Sequence, residues 1–428
     1  MILASEALFQ FIWRYSLYRP EALQTTAGER ITVIFPGRQN TDAGPDFEGA
    51  KVRIGETLLV GNVELHLRSG DWFRHGHGQD GRYANIILHV VLEDDRPEGF
   101  SPYIPVLDLA PHIPDHIPGN YAFLQQNLER IPCARQLHSV RDIARTAWLH
   151  RLIAERWEGK FAGWEQQLLQ SAGDWRVLLY HALAFNFGFK VNSDTFLALA
   201  QSLPLNILSR HRNHLFQVEA LLFGQAGMLK GRFKEEYPWR LQEEYKHLRL
   251  KYRLAPLAPE CWKFLRMRPA NFPTLRIAQF AALVHRSLHL FSQVVNSASL
   301  TELESLFAVT ASSYWDDHVR FEEPQQKAAP KQLGKDSIRN IITNTIAPLR
   351  FFYSGRSGLG DHCETAVSLL EQLPPEHNRI LEEWERSGWT AGNALEAQAL
   401  LQLFNQYCQH KQCLHCSIGH TLIRAKQS

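Results

Sequence analysis

The chain has 428 residues, of which 45% are hydrophobic and 21% are charged. This balance is typical of globular proteins, and it excludes a disordered chain, a collagen-like fibre and a coiled coil. The length exceeds that of one ordinary domain, so about two or three domains are expected. The formal charge of +2 argues against binding of nucleic acid through bulk charge but allows a local basic patch.

The N-terminal segment lacks the basic leader of a secretory signal, and Glu6 interrupts its apolar run. No stretch approaches the roughly 18 apolar residues that a membrane-spanning helix requires. The sequence therefore predicts a soluble, cytoplasmic protein with no membrane partner, in which cysteines stay reduced.

The first 115 residues have mostly strand-like patterns. Apolar residues at helical spacing predict one helix over residues 5–18. Strands are predicted at residues 31–35, 49–54, 57–67, 85–93 and 104–109. The second and third of these strands, joined by a tight turn at Gly55-Glu56, are expected to form a hairpin. The near-continuous apolar run of the fourth is typical of a strand buried on both faces.

Residues 111–120 are rich in Pro and Gly and are predicted to be a linker. Helical spacing dominates after it. The predicted helices lie at residues 145–158, 163–172, 175–187, 194–201, 213–223, 237–254, 275–292, 300–307, 337–346 and 394–408. The expectation is an α+β protein in three parts, namely a strand-rich mixed-sheet domain at 1–115, a helical domain at 116–330 and a C-terminal helical region at 331–428.

Carboxylates and imidazoles are concentrated between residues 40 and 89. Asp46 stands where the first hairpin strand begins, and Glu64 lies late in the second strand, so the hairpin should bring them together. Residues i and i+2 of a strand share a face, so Glu64 and His66 should point the same way. A pair of carboxylates suits Mg²⁺, which can activate water and stabilise charge on a phosphoryl group.

These residues resemble the motif of the PD-(D/E)XK nuclease superfamily, with Pro45-Asp46 and Glu64-Leu65-His66 at the matching positions. The resemblance implies a restriction-endonuclease-like αβββαβ core and Mg²⁺-dependent cleavage of DNA or RNA. It also implies that Asp46 and Glu64 hold the metal. His66 departs from the pattern because it stands where the superfamily has Lys, and a neutral imidazole is not a fixed positive charge. This departure puts nuclease activity in question.

The structural interpretation of these residues is that Asp46 caps a turn and that Glu64 and His66 form a solvated strand face. Two functional alternatives also remain open at this stage. In one, the domain is a non-catalytic module with a degenerate nuclease core that binds nucleic acid or protein. In the other, the chain is a metallohydrolase whose transition metal is held by histidines and carboxylates of the H-x-H-x-x-D segment together with Asp46 or Glu64. The glycines of that segment also favour a plain loop. Further candidate site residues are Asp42, Asp71, His75, His77 and Asp80.

Single residues near this cluster have structural interpretations too. Asp71 is predicted to cap a short helix. His89 lies in the apolar run and is expected to be a hydrogen-bonded core residue.

A second candidate metal site lies in the C-terminal sequence Cys408-x4-Cys413-x2-Cys416. Three thiolates at this spacing can hold Zn²⁺ or part of an iron–sulfur cluster, and a fourth ligand is then required. The candidates for it are Cys133, Cys363, His410, His415 and His420. Some nucleases similar to the PD-(D/E)XK superfamily hold an iron–sulfur cluster with one early and three late cysteines, and by that resemblance Cys133 would be the early one. The alternative is a set of buried structural thiols.

The most basic part of the chain interleaves arginines and lysines with aromatic residues, a combination that can hold phosphates and stack bases. The candidate nucleic-acid-binding residues are Lys246, Arg249, Arg253, Arg268 and Arg276. A solvated helix face with i,i+4 ion pairs is the alternative interpretation.

Longer segments resemble a bacterial family of unknown function, domain of unknown function 2851. These segments lie at residues 40–47, 61–66, 71–72, 87–91, 187–192, 268–276 and 407–419. The resemblance extends over nearly the whole chain and implies that its parts belong to one protein, but it implies no known activity.

Overall fold

The computed structural model describes residues 5–75, 77, 80–96, 104–358 and 361–426, apart from the side chains of 361–363. The chain forms two compact units. Unit 1 consists of Met1–Arg151, Glu382–Thr390 and Leu401–Ser428, and unit 2 consists of Leu152–Leu381 and Ala391–Leu400.

Eight strands and eighteen α-helices are present in the described part of the chain. The strands are β1 (Ile31–Phe35), β2 (Arg38–Gln39), β3 (Phe47–Ile54), β4 (Thr57–Arg68), β5 (Ile86–Glu93), β6 (Val106–Asp108), β7 (His318–Arg320) and β8 (Glu323–Pro324). The helices are α1 (Glu6–Arg14), α2 (Asp71–Arg74), α3 (His116–Gln126), α4 (Asp142–Gln170), α5 (Trp175–Phe187), α6 (Phe189–Ser202), α7 (Leu205–His211), α8 (Leu215–Gln225), α9 (Glu236–Tyr252), α10 (Pro273–Arg286), α11 (Leu290–Asn296), α12 (Leu300–Phe307), α13 (Lys335–Ile341), α14 (Ala347–Ser357), α15 (Asp361–Gln372), α16 (Arg379–Arg386), α17 (Ala394–Gln402) and α18 (Ser417–Arg424). Two π-helical turns, Ile342–Ile346 and Leu403–Cys408, continue α13 and α17.

A mixed sheet forms the centre of unit 1, in the order β1-β3-β4-β5-β6 with β2 paired to β3. β3 runs antiparallel to both β1 and β4, whereas β5 is parallel to β4 and β6 is parallel to β5. The five strands that the sequence predicts are all present, and the predicted α+β class with an N-terminal mixed sheet is confirmed.

The hairpin of β3 and β4 follows from its sequence. Ala50, Val52 and Ile54 are buried while Lys51 and Arg53 are exposed, as the period of two predicts. The connecting turn places Gly55 at a φ of +55°, a conformation that glycine adopts without steric cost. The strand register of unit 1 is therefore fixed by alternation and by one turn residue.

The predicted linker at residues 111–120 is wrong. The structure has a 3₁₀ turn at Ala110–His112 and then helix α3, in which Pro118 lies in the first turn, where no intrahelical partner for its missing N–H exists. Asn120 is buried, and its Nδ2 donates to the carbonyls of Leu422 and Ile423. Proline here starts a helix that packs against the C-terminal segment.

The division of the structure also differs from the predicted boundaries at residues 115 and 330. Residues 116–151 belong to unit 1, and so do 382–390 and 401–428, because the C-terminal helices return to pack on α3. The two units are defined by contacts between parts of the chain that are distant in sequence. Local composition does not predict such contacts, so the sequence could not give these boundaries.

Unit 2 is built of helices around aromatic side chains. Phe223 stacks on Trp315 with ring centroids 5.3 Å apart, and both are fully buried. The predicted helices at 175–187 and 300–307 have the predicted ends, whereas those at 145–158 and 163–172 are one helix, α4. Within the described residues, no helix combines the length and the apolar character needed to cross a membrane.

Candidate metal centre

The β3–β4 hairpin brings Asp46 and Glu64 into contact, as predicted. Phe47 pairs with Val63, which places the residue before β3 beside the carboxylate on β4. The Asp46 N–H donates to Glu64 Oε2 at 3.0 Å, and the Leu65 N–H donates to Asp46 Oδ2 at 2.9 Å. The two carboxylates are thus held by reciprocal bonds to the partner strand.

Helix α1 supplies a further support that the sequence did not reveal. Gln10 Nε2 donates to Asp46 Oδ1 at 2.8 Å, and Gln10 Oε1 accepts from Gln39 Nε2 at 3.2 Å. A lone Gln on an amphipathic helix carries no signal of this kind. The contact fixes the orientation of the Asp46 carboxylate.

Glu64 and His66 are buried, with 5% and 3% of their surface exposed, so the alternative of a solvated strand face is wrong. His66 Nδ1 forms a hydrogen bond of 2.9 Å with Nε2 of His89 on the neighbouring parallel strand. The expectation that His89 is a hydrogen-bonded core residue is confirmed. Because this hydrogen bond engages Nδ1 of His66, Nε2 is the ring nitrogen left to bind another group. His66 Nε2 lies 3.6 Å from Glu64 Oε1.

Two further histidines complete the cluster. Nε2 of His77 lies 3.4 Å from Glu64 Oε1, is buried, and has no hydrogen-bond partner among the residues that the structure describes. One ring nitrogen from each of His66, His75 and His77 lies within 4.8 Å of the other two. His75 is exposed and His77 is half-buried, so the cluster reaches solvent on this side.

Aromatic rings hold the imidazoles in place. Trp72 packs against His77 and His89 with ring centroids 5.4 and 5.3 Å apart. The ring of Tyr83 lies 3.9 Å from that of His77, and its hydroxyl donates to the Gly44 carbonyl. These contacts orient His77 by packing and leave its Nε2 unpaired.

The carboxylates are held in an environment that opposes their charge. Burial, followed by the negative charge of Asp46, raises the pKa of Glu64 to about 8. Burial raises the pKa of Asp46 to about 6, and the hydrogen bond from Leu65 partly offsets this. A cation beside the two groups would stabilise their ionised forms and lower both pKa values.

The pKa values of His66, His77 and His89 are all lowered, which favours the neutral imidazole, the form that binds metals. Burial, followed by the positive charges of neighbouring imidazoles, lowers the pKa of His66 to about 3. Burial lowers the pKa of His89 to about 4 and also lowers that of His77. The chain therefore presents neutral nitrogen donors at this position.

The other predicted members of this site lie elsewhere. The Asp80 carboxylate is bound by Arg82, with Nη2 to Oδ2 at 2.6 Å, and this pairing holds the pKa of Asp80 at about 2. Asp42 is exposed, and its N–H donates to Asn40 Oδ1. Asp71 is the first residue of α2, whose cap is Gly70, and it pairs with Arg74. Local partners engage Asp80 and Asp71, and neither contributes an oxygen to the cluster.

The C-terminal cysteines and the early Cys133 all belong to unit 1. Cys133, Cys408, Cys413 and Cys416 are all buried, and the nearness of each pair raises the pKa of at least one member. His420 Nε2 forms a hydrogen bond with the Leu414 carbonyl. The side chain of Cys363 lies outside the described residues.

The candidate nucleic-acid-binding residues fall into two groups. Arg276 is buried, and its guanidinium donates to Gln279, Asn271 and Ser337, so the prediction of a surface contact for it is corrected: the guanidinium binds neighbours inside the helical core. The exposed residues are Lys246, which pairs with Glu243 at 2.5 Å, Arg249, which donates to the Leu254 carbonyl, Arg253 and Arg268.

Comparison with known proteins gives the family but no relative of established function. The chain matches none of the curated proteins and none of the solved structures with which it was compared. The family described as protein of unknown function DUF2851 matches residues 6–379, which include the whole histidine and carboxylate cluster and Cys133. The three late cysteines lie beyond the matched segment, so the match is shorter than the resemblance suggested. The chain belongs to the DUF2851 family.

Proposed function

We propose that this protein is a metal-dependent hydrolase that cleaves phosphodiesters of nucleic acid by attack of water. Its divalent transition metal is held by Glu64, His66, His75 and His77, with Asp46 beside it. The observation that carries the proposal is the buried Nε2 of His77, which lies 3.4 Å from Glu64 Oε1 and has no hydrogen-bond partner among the described residues.

The distances suit a metal ion. Ligand atoms on a tetrahedral ion with bonds of about 2.0–2.2 Å lie about 3.3–3.6 Å apart. Glu64 Oε1 lies 3.4 and 3.6 Å from Nε2 of His77 and His66. Imidazole nitrogens suit Fe²⁺ and Zn²⁺, and a carboxylate oxygen suits Mn²⁺, so a mixed set of three imidazoles and one carboxylate admits these three ions, whereas Mg²⁺ prefers oxygen ligands. The Mg²⁺ site at Asp46 and Glu64 thus gives way, in this proposal, to a site with mixed nitrogen and oxygen donors.

The hydrogen bond between His66 and His89 supports the same assignment. A ligating histidine usually donates its other ring N–H to a fixed acceptor, which sets its tautomer. His89 occupies that position for His66, at 2.9 Å from Nδ1. If His66 donates its Nδ1–H to His89, the lone pair on His66 Nε2 would be free to bind a metal.

The choice of substrate rests on the arrangement of strands. Pro45-Asp46 precedes one strand of an antiparallel hairpin, Glu64-Leu65-His66 lies in the other, and a parallel strand follows. This arrangement agrees with the resemblance to the PD-(D/E)XK superfamily. The nucleases of that superfamily act on phosphodiesters. His66 then stands at the lysine position as a metal ligand, which accounts for the departure from the motif.

The residues divide the chemistry between them. A bound divalent metal lowers the pKa of water and neutralises charge on the phosphate. Asp46, with a pKa of about 6, is ionised at pH 7 and can accept a proton from the attacking water. Gln10 and the Leu65 N–H hold its oxygens in one orientation. The exposed His75 marks the side from which the substrate enters.

The test is cleavage of labelled single- and double-stranded DNA and RNA with Mn²⁺, Zn²⁺ or Mg²⁺. We expect Mn²⁺-supported cutting by the wild type and a loss of at least about 100-fold in Glu64→Gln. Glu48→Gln, the same change at an exposed position on β3, should cut normally. No cutting by the wild type with any of the three metals, or equal cutting by Glu64→Gln, overturns the proposal. Salt-sensitive binding without turnover would favour the non-catalytic module instead.

A further inference from the structure

A cleft of about 560 Å³ opens in unit 1 where the end of α1, the N-terminal part of α4 and the C-terminal segment meet. Its walls include Arg14, Trp148, Arg151 and Tyr407, together with His420 of α18. The volume lies in the usual range of ligand pockets, roughly 300–1,000 Å³. The cleft shares no lining residue with the histidine and carboxylate cluster, so it is a separate site.

Positive charge without a carboxylate partner surrounds the cleft. The described residues that line it include no acidic side chain. The guanidinium groups of Arg151 and Arg424 form no hydrogen bond or ion pair within the described part of the chain. Burial lowers the pKa of His420, a hydrogen bond to a backbone carbonyl partly offsets this, and the positive charges of Arg424 and Arg14, among others, lower it further. The cleft therefore presents cations that an anion can bind.

Aromatic rings lie beside these arginines. The guanidinium carbon of Arg151 is 6.0 Å from the centroid of the Trp148 ring, and that of Arg424 is 4.7 Å from the centroid of the Tyr15 ring. Trp148 packs edge-on against Tyr407, with ring centroids 5.4 Å apart. Tyr15 and Tyr407 are half-buried and line the cleft. The lining thus combines cations with rings on which a planar group can stack.

We propose that this cleft binds a nucleotide, with the phosphate held by the arginines and the base stacked on the aromatic rings. Arginine matches phosphate because its planar fork of N–H donors meets two oxygens at once. An anion without a ring would leave the aromatic side chains unused, and an uncharged aromatic molecule would leave the arginines unpaired. A nucleotide is the ligand class that uses both features. The proposal needs neither a metal nor cleavage, so it goes beyond the proposed function.

A chain of hydrogen bonds connects the cleft to the candidate metal centre. Arg14 Nη1 donates to Gln39 Oε1 at 2.9 Å, and Gln39 Nε2 donates to Gln10 Oε1 at 3.2 Å. Gln10 Nε2 in turn donates to Asp46 Oδ1. Helix α1 therefore carries one wall of the cleft at its last residue and a support of Asp46 one turn earlier. Arg14 has five N–H donors, so a phosphate can bind it without breaking this chain.

The test is isothermal titration of the metal-free full chain with AMP, adenosine and inorganic phosphate. We expect AMP to bind with a Kd below about 1 mM and at least about tenfold more tightly than adenosine or phosphate, because only AMP engages the arginines and the rings together. Absence of AMP binding in this range overturns the proposal. Binding of phosphate alone or adenosine alone as tightly as AMP overturns it too.

A variant then locates the site. Arg151→Ala should weaken AMP binding at least about tenfold. It should fold normally, because the Arg151 guanidinium has no hydrogen-bonded partner among the described residues. Arg141→Ala, at an exposed arginine just before α4, is the matched control and should bind AMP as the wild type does. An AMP affinity in Arg151→Ala equal to that of the wild type would place any nucleotide elsewhere and reject the cleft.

A free nucleotide and the end of a nucleic-acid strand offer the same phosphate and base, and an oligonucleotide distinguishes them. The probe is single-stranded DNA of about ten nucleotides, with and without a 5′-phosphate. Binding that is at least about tenfold tighter with the phosphate, and that Arg151→Ala abolishes, assigns the cleft to strand ends. Equal binding of the two strands assigns it to free nucleotides. Glu64→Gln should bind AMP normally even where it loses cleavage, so the failure of either proposal leaves the other intact.

Discussion

Both units bury polar atoms, and one side chain from each, Gln225 of unit 2 and His77 of unit 1, shows how such atoms differ in whether the protein itself supplies their partners. In unit 2, Gln225 is fully buried, donates to the carbonyls of Ser202 and Ala255, and accepts from the Tyr245 hydroxyl. In unit 1, the buried Nε2 of His77 has no hydrogen-bond partner in the described part of the chain. Buried polar groups normally find partners, and an unpaired nitrogen that lies beside a carboxylate and two further imidazoles indicates a ligand that completes it.

The same comparison can be drawn between two buried carboxylates, Glu219 of unit 2 and Glu64 of unit 1. Burial raises the pKa of Glu219 to about 7, and Glu219 accepts from the Ser312 hydroxyl at 2.7 Å. Glu64 of unit 1 has a similarly raised pKa, but its neighbours are a second carboxylate and two imidazoles. A raised pKa therefore does not by itself distinguish a structural carboxylate from a metal ligand, whereas the neighbours do.

The largest effect is expected from His77→Ala. Removing one of four proposed ligands should weaken Mn²⁺ binding at least about 100-fold, since changes even to residues that only hydrogen-bond to a ligand cost about 10–100-fold. Calorimetric titration of the metal-free protein with Mn²⁺ measures this, because thiolates bind Mn²⁺ poorly and the cysteine site will not interfere. His138→Ala, at an exposed histidine of unit 1, is the matched control. If His77→Ala binds Mn²⁺ as tightly as the wild type, the unpaired nitrogen of His77 is not a metal ligand, and it does not differ in function from the buried polar groups of unit 2.

Gln225→Ala should show the opposite pattern. It leaves two carbonyls and the Tyr245 hydroxyl without their buried partner, so the free energy of unfolding should fall by about 2 kcal/mol. Urea unfolding measures the loss, and Gln201→Ala, at an exposed position of unit 2, should change stability by less than about 0.5 kcal/mol. Mn²⁺ affinity should be unaffected. A stable Gln225→Ala protein would mean that the satisfied network has no structural role.

The pH dependence of metal-free protein tests Glu64. Its pKa is raised from about 4.5 unfolded to about 8 folded. The folded state therefore binds the proton more tightly, and the stability from this group is complete below pH 4.5 and is lost as pH rises through 8. Between pH 5 and 9 the Tm of the wild type should fall by a few degrees relative to Glu64→Gln, as measured by thermal unfolding.

Mn²⁺ should cancel this fall, because a cation stabilises the ionised carboxylate. A constant difference in Tm between wild type and Glu64→Gln over the same pH range would show that the Glu64 carboxylate is not held in the environment described. Burial of His66 and His89 affects both proteins alike, so the difference isolates Glu64.

The smallest effect is expected from Lys246→Ala. Its exposed i,i+3 pair with Glu243 should contribute about 0.5 kcal/mol or less to stability, as urea unfolding would measure. The solvated helix face then accounts for this residue. A clear loss of DNA affinity in the same variant, seen in a binding titration, would instead assign a nucleic-acid surface to unit 2.

Much of unit 1 follows from local patterns. Alternation and the turn at Gly55 predict the hairpin, and the hairpin in turn predicts the contact between Asp46 and Glu64. Part of unit 2 follows in the same way, as the ends of α5 and α12 show. These features depend on residues close together in sequence, for which a period of two or 3.6 is sufficient information.

The sequence by itself determined the sheet, its hairpin and the list of chemically capable residues. Only the tertiary structure decided which of them meet: His77 lies beside Glu64, and Arg276 binds partners in the helical core. The proline-rich segment at 111–120 became part of a helix for the same reason, since α18 covers it. Periodicity places a side chain on a face, but the packing of distant segments determines what that face contacts.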